Sequence, residues 1–111
     1  MTKKRIPQNQ VEFYEPIFPG QLAGKEVFDK ESRRLGLIKS IRIEYLPWKV
    51  SLIIKGLNLE IPVDLSEVSN IGTVVQLKTK ITAMPELNVN DVIRLREEIK
   101  EDLKEMNNSI F

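Results

Sequence analysis

The chain has 111 residues, 41% apolar and 30% charged, which gives enough apolar surface for one packed domain, too little length for two, and excludes a wholly disordered chain. It holds no cysteine and no histidine, so disulfides, thiol nucleophiles, thiolate or imidazole metal ligands and imidazole acid–base catalysis are excluded together. The net charge of +1 is unevenly spread: residues 1–55 carry eleven Lys/Arg against six Asp/Glu, and residues 56–111 carry six against ten.

A dedicated nucleic-acid binder usually shows a larger basic excess, so this asymmetry fits self-association or docking onto a partner of mixed charge better. No stretch approaches the roughly 18 uninterrupted apolar residues of a membrane-spanning helix, and the start M-T-K-K-R-I-P has no apolar run behind its basic residues. A cytoplasmic protein without membrane insertion is the expectation.

Residues 1–20 contain Pro7, Pro16 and Pro19, a basic cluster of Lys3, Lys4 and Arg5, and the aromatic pair Phe13 and Tyr14. Prolines at that density disfavour a helix and favour extended backbone, so this segment reads as an arm. It either lies over the domain, burying Phe13, Tyr14, Ile17 and Phe18, or meets a partner; leaving four large apolar side chains in water is costly, which favours the first.

From residue 21 to 83 the pattern is of short strands. Leu22–Asp29 reads as the first, with Lys30–Arg34 as the loop after it. Ile41, Ile43 and Tyr45 alternate with Arg42 and Glu44; Val50, Leu52 and Ile54 alternate with Ser51 and Lys55; Leu57, Leu59, Ile61 and Val63 alternate with Asn58 and Glu60. Such alternation marks strands with one buried face, here three consecutive antiparallel ones. Leu46-Pro47-Trp48 and Lys55-Gly56-Leu57 are the expected hairpin connections, with Gly56 supplying positive φ. The run from Asp64 to Gly72 reads as one helical turn ended by Gly72, and Thr73–Lys78 as a further strand. Five or six short strands with frequent turns predict a small antiparallel barrel.

After a linker beginning at residue 84, residues 88–111 switch to helical spacing. Asn90 is placed to cap, and Val92, Leu95, Ile99, Leu103, Met106 and Ile110 recur at steps of three and four, with charged residues on the other faces. An amphipathic helix of this length is marginal alone and must dock on something.

The order and spacing of Leu22-x-Gly24-Lys25-x-Val27-x-Asp29, Leu35-Gly36-x-Ile38, Ile61-Pro62-Val63 and Ile71-Gly72-x-Val74-x-Gln76-Leu77 resemble the PRC-barrel family over about residues 20 to 80. Family members often have glycine in the loop where this chain has Ser32. The resemblance implies a small β-barrel of the stand-alone archaeal type. It also implies a docking or assembly module rather than a catalyst, as in adaptors of archaeal cell division. A bacterial ribosome-maturation factor carries the same barrel beside a second domain that this chain lacks.

For chemistry, neither G-x-G-x-x-G nor a phosphate-binding G-x-x-x-x-G-K-[ST] occurs, and the carboxylates fall mainly in charged turns or on the polar side of the last helix. No catalytic residue, cofactor site, metal site or small-molecule substrate is therefore expected. The helix stripe Val92, Leu95, Ile99, Leu103 and Met106 covers its own barrel or pairs with a second copy, giving a homodimer. Trp48, with Tyr45 nearby, anchors a partner or plugs the barrel end. Phe13 and Tyr14 are further candidate contacts. Lys3, Lys4, Arg5, Arg33 and Arg34 would touch phosphate if arm and loop share a side, with weak, salt-sensitive binding. The expected function is a non-catalytic protein-interaction adaptor, the alternative a ribosome- or RNA-associated assembly factor.

Overall fold

The computed structural model describes residues 9–110, with side chains through Met106. Among the described residues the fold is mainly β, with seven strands and one carboxy-terminal helix: β1 Gln10–Phe13, β2 Glu26–Phe28, β3 Arg34–Glu44, β4 Lys49–Gly56, β5 Leu59–Asp64, β6 Val68–Ile71, β7 Val75–Leu77 and α1 Val89–Ile110.

The antiparallel succession β3–β4–β5 forms as its alternation predicts. Its turns differ from expectation. The positive φ of the β4–β5 turn falls on Asn58, at 60°, and not on Gly56. Gly56 is small for another reason: a Cβ there would lie 2.7 Å from Met84 Cε and 3.1 Å from the Leu35 carbonyl oxygen.

The expected closed antiparallel barrel is an open, mixed sheet, in the order β5-β4-β3-β2-β7-β6 with β1 also paired to β3. The strand at residues 22–29 shrinks to three residues, because Gly24 turns the chain at φ 92° before β2 begins. The predicted helical turn at 64–72 is a 3-10 turn over Leu65–Glu67 only, and the chain then enters β6 and doubles back at Gly72 into β7. This return lays β7 parallel to β2, with Val27 beside Val75. Among the described residues β5 and β6 are the two ends of the sheet and do not pair with each other. Pro62, without an N–H to donate, sits on the end strand β5, where it breaks no ladder.

Two bulges shape β3. Val27 faces Gly36 while Phe28 faces Arg34, so Leu35 is an extra residue; Ile38 faces Ile54 while Ser40 faces Ile53, so Lys39 is another. Each bulge reverses the alternation of side chains. As a result Leu35 and Ile38 join the interior cluster with Val27, Leu52, Ile54, Val63, Val75, Leu77 and Met84. Leu37 instead joins a second cluster with Leu87, Val92, Leu95 and Ile99. At Gly36 a Cβ would stand 2.1 Å from the Lys55 carbonyl oxygen, so only glycine permits the approach of β3 to β4.

The helix is capped by Asn88 rather than Asn90. The Asp91 amide donates to Asn88 Oδ1 at 2.9 Å and the Asn88 amide to Asp91 Oδ2 at 3.0 Å, a reciprocal cap. No described helix is long and apolar enough to cross a membrane.

The segment expected as an arm is partly a strand, β1, in register along β3 from Gln10 opposite Glu44 to Phe13 opposite Ile41. Behind it the loop is held by Glu15, whose carboxylate accepts from the backbone amides of Gln21 (2.6 Å), Leu22 (2.8 Å) and Ala23 (2.6 Å). Burial alone would raise the Glu15 pKa, but these three amides outweigh it and hold the carboxyl below its ordinary range.

Candidate functional site

The site grows from the extension of three strands beyond the interior cluster. On β3, Ile41 still packs against that cluster, next to Leu52 of β4. Two residues further on, the same face carries Ile43 with Val50 opposite it on β4 and Val11 opposite it on β1. Phe13 faces Ile41 across the β1–β3 pair. Among the described residues no second layer covers this end: Val11 is 44% and Phe13 52% exposed.

The face ends at the β3–β4 turn. There the Tyr45 and Trp48 rings meet at a 6.1 Å centroid separation and a 50° tilt. Leu46 is 82% and Trp48 77% exposed, so Trp48 does not plug the sheet. Leu46 also has φ 62°, a backbone that costs a branched L residue energy and that a folded chain keeps where surroundings or function fix it. Phe13, named from sequence apart from the neighbours Tyr45 and Trp48, is thus brought onto one sheet face with Tyr45, at the end that carries Trp48. Val11 and Leu46 were missed. The alternation of Gln10-Val11-Glu12-Phe13 was the available signal for the first, and the uninterrupted Tyr45-Leu46-Pro47-Trp48 for the second.

Tyr14 points to the other side. Its hydroxyl donates to Glu12 Oε2 and its ring lies 6.0 Å from Lys39 Nζ. Burial, with the Glu12 carboxylate as its acceptor, pushes the Tyr14 phenol above its ordinary range, so it stays protonated. Between the loop after β1 and the end of α1 runs an open groove of about 850 Å³, whose apolar walls include Pro16, Phe18, Leu103 and Met106.

The helix stripe is not offered to a partner. Val92, Leu95 and Ile99 are buried against Leu37 and Leu87 of their own chain, with Leu103 partly buried beside them; only Met106, 36% exposed, remains at the surface. The physical reason is that the second bulged face of β3 exposes Leu37, and α1 is what covers it.

The two loop arginines are also turned to internal partners. Arg33 Nε lies 3.1 Å from Asp29 Oδ2, and its Nη2 donates to the carbonyls of Ile81 (3.1 Å) and Met84 (2.5 Å). Arg34 Nε lies 2.6 Å from Glu26 Oε1, and its guanidinium sits 5.2 Å from the Phe28 ring centroid. Lys3, Lys4 and Arg5 lie outside the described residues. Among the described residues no three His, Cys, Asp or Glu side chains come together as metal ligands.

Compared with known proteins, the chain matches no family model, no curated protein and no solved structure.

Proposed function

We propose that the chain is a non-catalytic protein-interaction module, an adaptor or assembly factor of PRC-barrel type acting in the cytoplasm, that docks a protein through the apolar face ending at Leu46 and Trp48. The observation that carries this reading is the hairpin tip, where Leu46 and Trp48 stand 82% and 77% exposed at the end of the strand face that also carries Val11 and Phe13. An exposed apolar surface containing Trp and Tyr has the composition of an interface centre, since these residues dominate binding energetics. Support for the family reading comes from the motif order and from Ser32, which takes φ 62° at the loop position where the family often has glycine. The sharper role, in archaeal cell division, rests on that resemblance alone. The RNA-associated alternative is weakened by Arg33 and Arg34, both engaged with internal carboxylates.

A photo-crosslinking amino acid in place of Trp48, introduced in the cells that make the protein, tests the reading. The expected product is a covalent adduct with a protein that survives a rise from low to moderate salt before irradiation, because apolar contacts respond little to ionic strength. An adduct with RNA, or none at all, would overturn it.

A further inference from the structure

Independently of any partner, the loop after β1 carries a conformational device. We infer that residues 15–23 form a strap that clips the carboxy-terminal half of α1 to the sheet, with the Glu15 carboxylate as its catch. From Glu15 to Gly20 the chain forms neither strand nor helix, so no ladder fixes its course. Its ends are fixed instead. β1 delivers one end in register along β3. The other is tied back to the same strand, where the Gly24 amide donates to the Ile38 carbonyl at 2.8 Å and the Ile38 amide to the Lys25 carbonyl at 3.0 Å.

Glu15 closes the loop between those ends. Its Oε1 accepts from the Gln21 amide and its Oε2 from the Leu22 and Ala23 amides, so one side chain gathers three successive N–H groups. Hydrogen bonds to an ionised acceptor are the stronger kind, and here they join two points six to eight residues apart. Gly20 is shaped around the same carboxylate: a Cβ there would stand 2.5 Å from Glu15 Oε1 and 2.9 Å from the Ile17 carbonyl oxygen.

Phe18 is the side chain that the closed loop presents. It lies between Glu15 and the three amides, and it packs, partly buried, against the cluster of Leu37, Leu95 and Ile99. Strap and helix form the two walls of the open groove, Pro16 and Phe18 on one side and Leu103 and Met106 on the other. The amino-terminal end of α1 has separate holds, in the Asn88–Asp91 cap and in the Leu87 amide, which donates to the Arg34 carbonyl at 2.8 Å. Opening the catch therefore frees Phe18 and loosens the helix from Ile99 onward, while its start stays in place.

Residue-resolved amide hydrogen exchange on the full chain tests the strap. Glu15→Gln keeps the shape of the side chain but replaces one acceptor oxygen by an N–H₂ group that faces backbone donors. Amides between Ile99 and Leu103 should then exchange about tenfold faster than in wild type, the effect of losing a hydrogen bond to a charged group. Those of Val92, Ile38 and Ile54 should keep their wild-type rates. Gly20→Ala, which collides with the same carboxylate, should give the same pattern, and the two changes together should add little to either alone, because both break one catch. Wild-type exchange between Ile99 and Leu103 in both single variants would overturn the strap. Equal acceleration at Ile38 and Ile54 would overturn it too, since Glu15 would then support the whole fold and not the helix.

Discussion

Asp29 and Arg33 form an ion pair at 3.1 Å in which the carboxylate is completely buried. The same carboxylate accepts from the amides of Glu31 and Arg33, and the guanidinium continues to the carbonyls of Ile81 and Met84. One charged contact therefore joins the β2–β3 loop to the segment that leads into the helix. Burial alone would raise the Asp29 pKa, but the Arg33 and Glu31 amides, then the Arg33 charge, hold it below its ordinary range.

Removing the carboxylate strands a partly buried guanidinium, so Asp29→Ala is expected to lower stability by about 3 kcal/mol, read as a urea midpoint. A carboxyl with a depressed folded pKa contributes stability that is fully present above its unfolded value, near 3.9, and lost as pH falls through the folded value. Wild type should thus lose more stability than Asp29→Asn between pH 7 and pH 2. Parallel curves for the two proteins would refute the assignment.

Two glycines that look alike in sequence should behave differently. Gly36→Ala places a methyl 2.1 Å from the Lys55 carbonyl oxygen, where backbone must move, and should cost about 2 kcal/mol or more. At Gly72 the nearest atom to a new Cβ is 3.7 Å away, so Gly72→Ala should stay within about 0.5 kcal/mol of wild type. Equal thermal midpoints for the two variants would contradict the close approach of β3 and β4.

Leu95 is 1% and Trp48 77% exposed, so the two large apolar residues carry different loads. Leu95→Ala should cost about 2–5 kcal/mol by opening the space between α1 and Leu37. Trp48→Ala should change stability by no more than about 0.5 kcal/mol. A large loss on Trp48→Ala in the isolated chain would make it a packing residue.

Much of the sheet was legible because its pairings are local. Ile41–Tyr45, Val50–Ile54 and Leu57–Val63 each declare a face by alternation, and they pair with their neighbours in sequence. The bulges at Leu35 and Lys39 were not legible, since an extra residue in a strand leaves no compositional mark. Ser51 and Ile53 are buried beside Leu52 and Ile54, so β4 is covered on both faces where alternation promised one. The parallel contact of Val27 with Val75 joins segments nearly fifty residues apart, a pairing no local pattern encodes. For the helix, spacing identified the apolar stripe but could not say what it meets. Of the candidate face, Trp48 and Tyr45 were visible as aromatics in a turn; their meeting with Val11 and Phe13 required knowing that Gln10–Phe13 is a strand.

The bulged strand β3 has Leu35 and Ile38 in one apolar cluster and Leu37 in the other, and α1 rests mainly on this one strand. A molecule with two apolar centres joined through a single element has two units that open at different free energies. Amide protons of α1 should therefore exchange with solvent before those of Ile38 and Ile54. Each such opening briefly uncovers Leu37 and Ile99, which makes the interval before the helix reseats the moment at which this chain is most exposed to proteases and to aggregation.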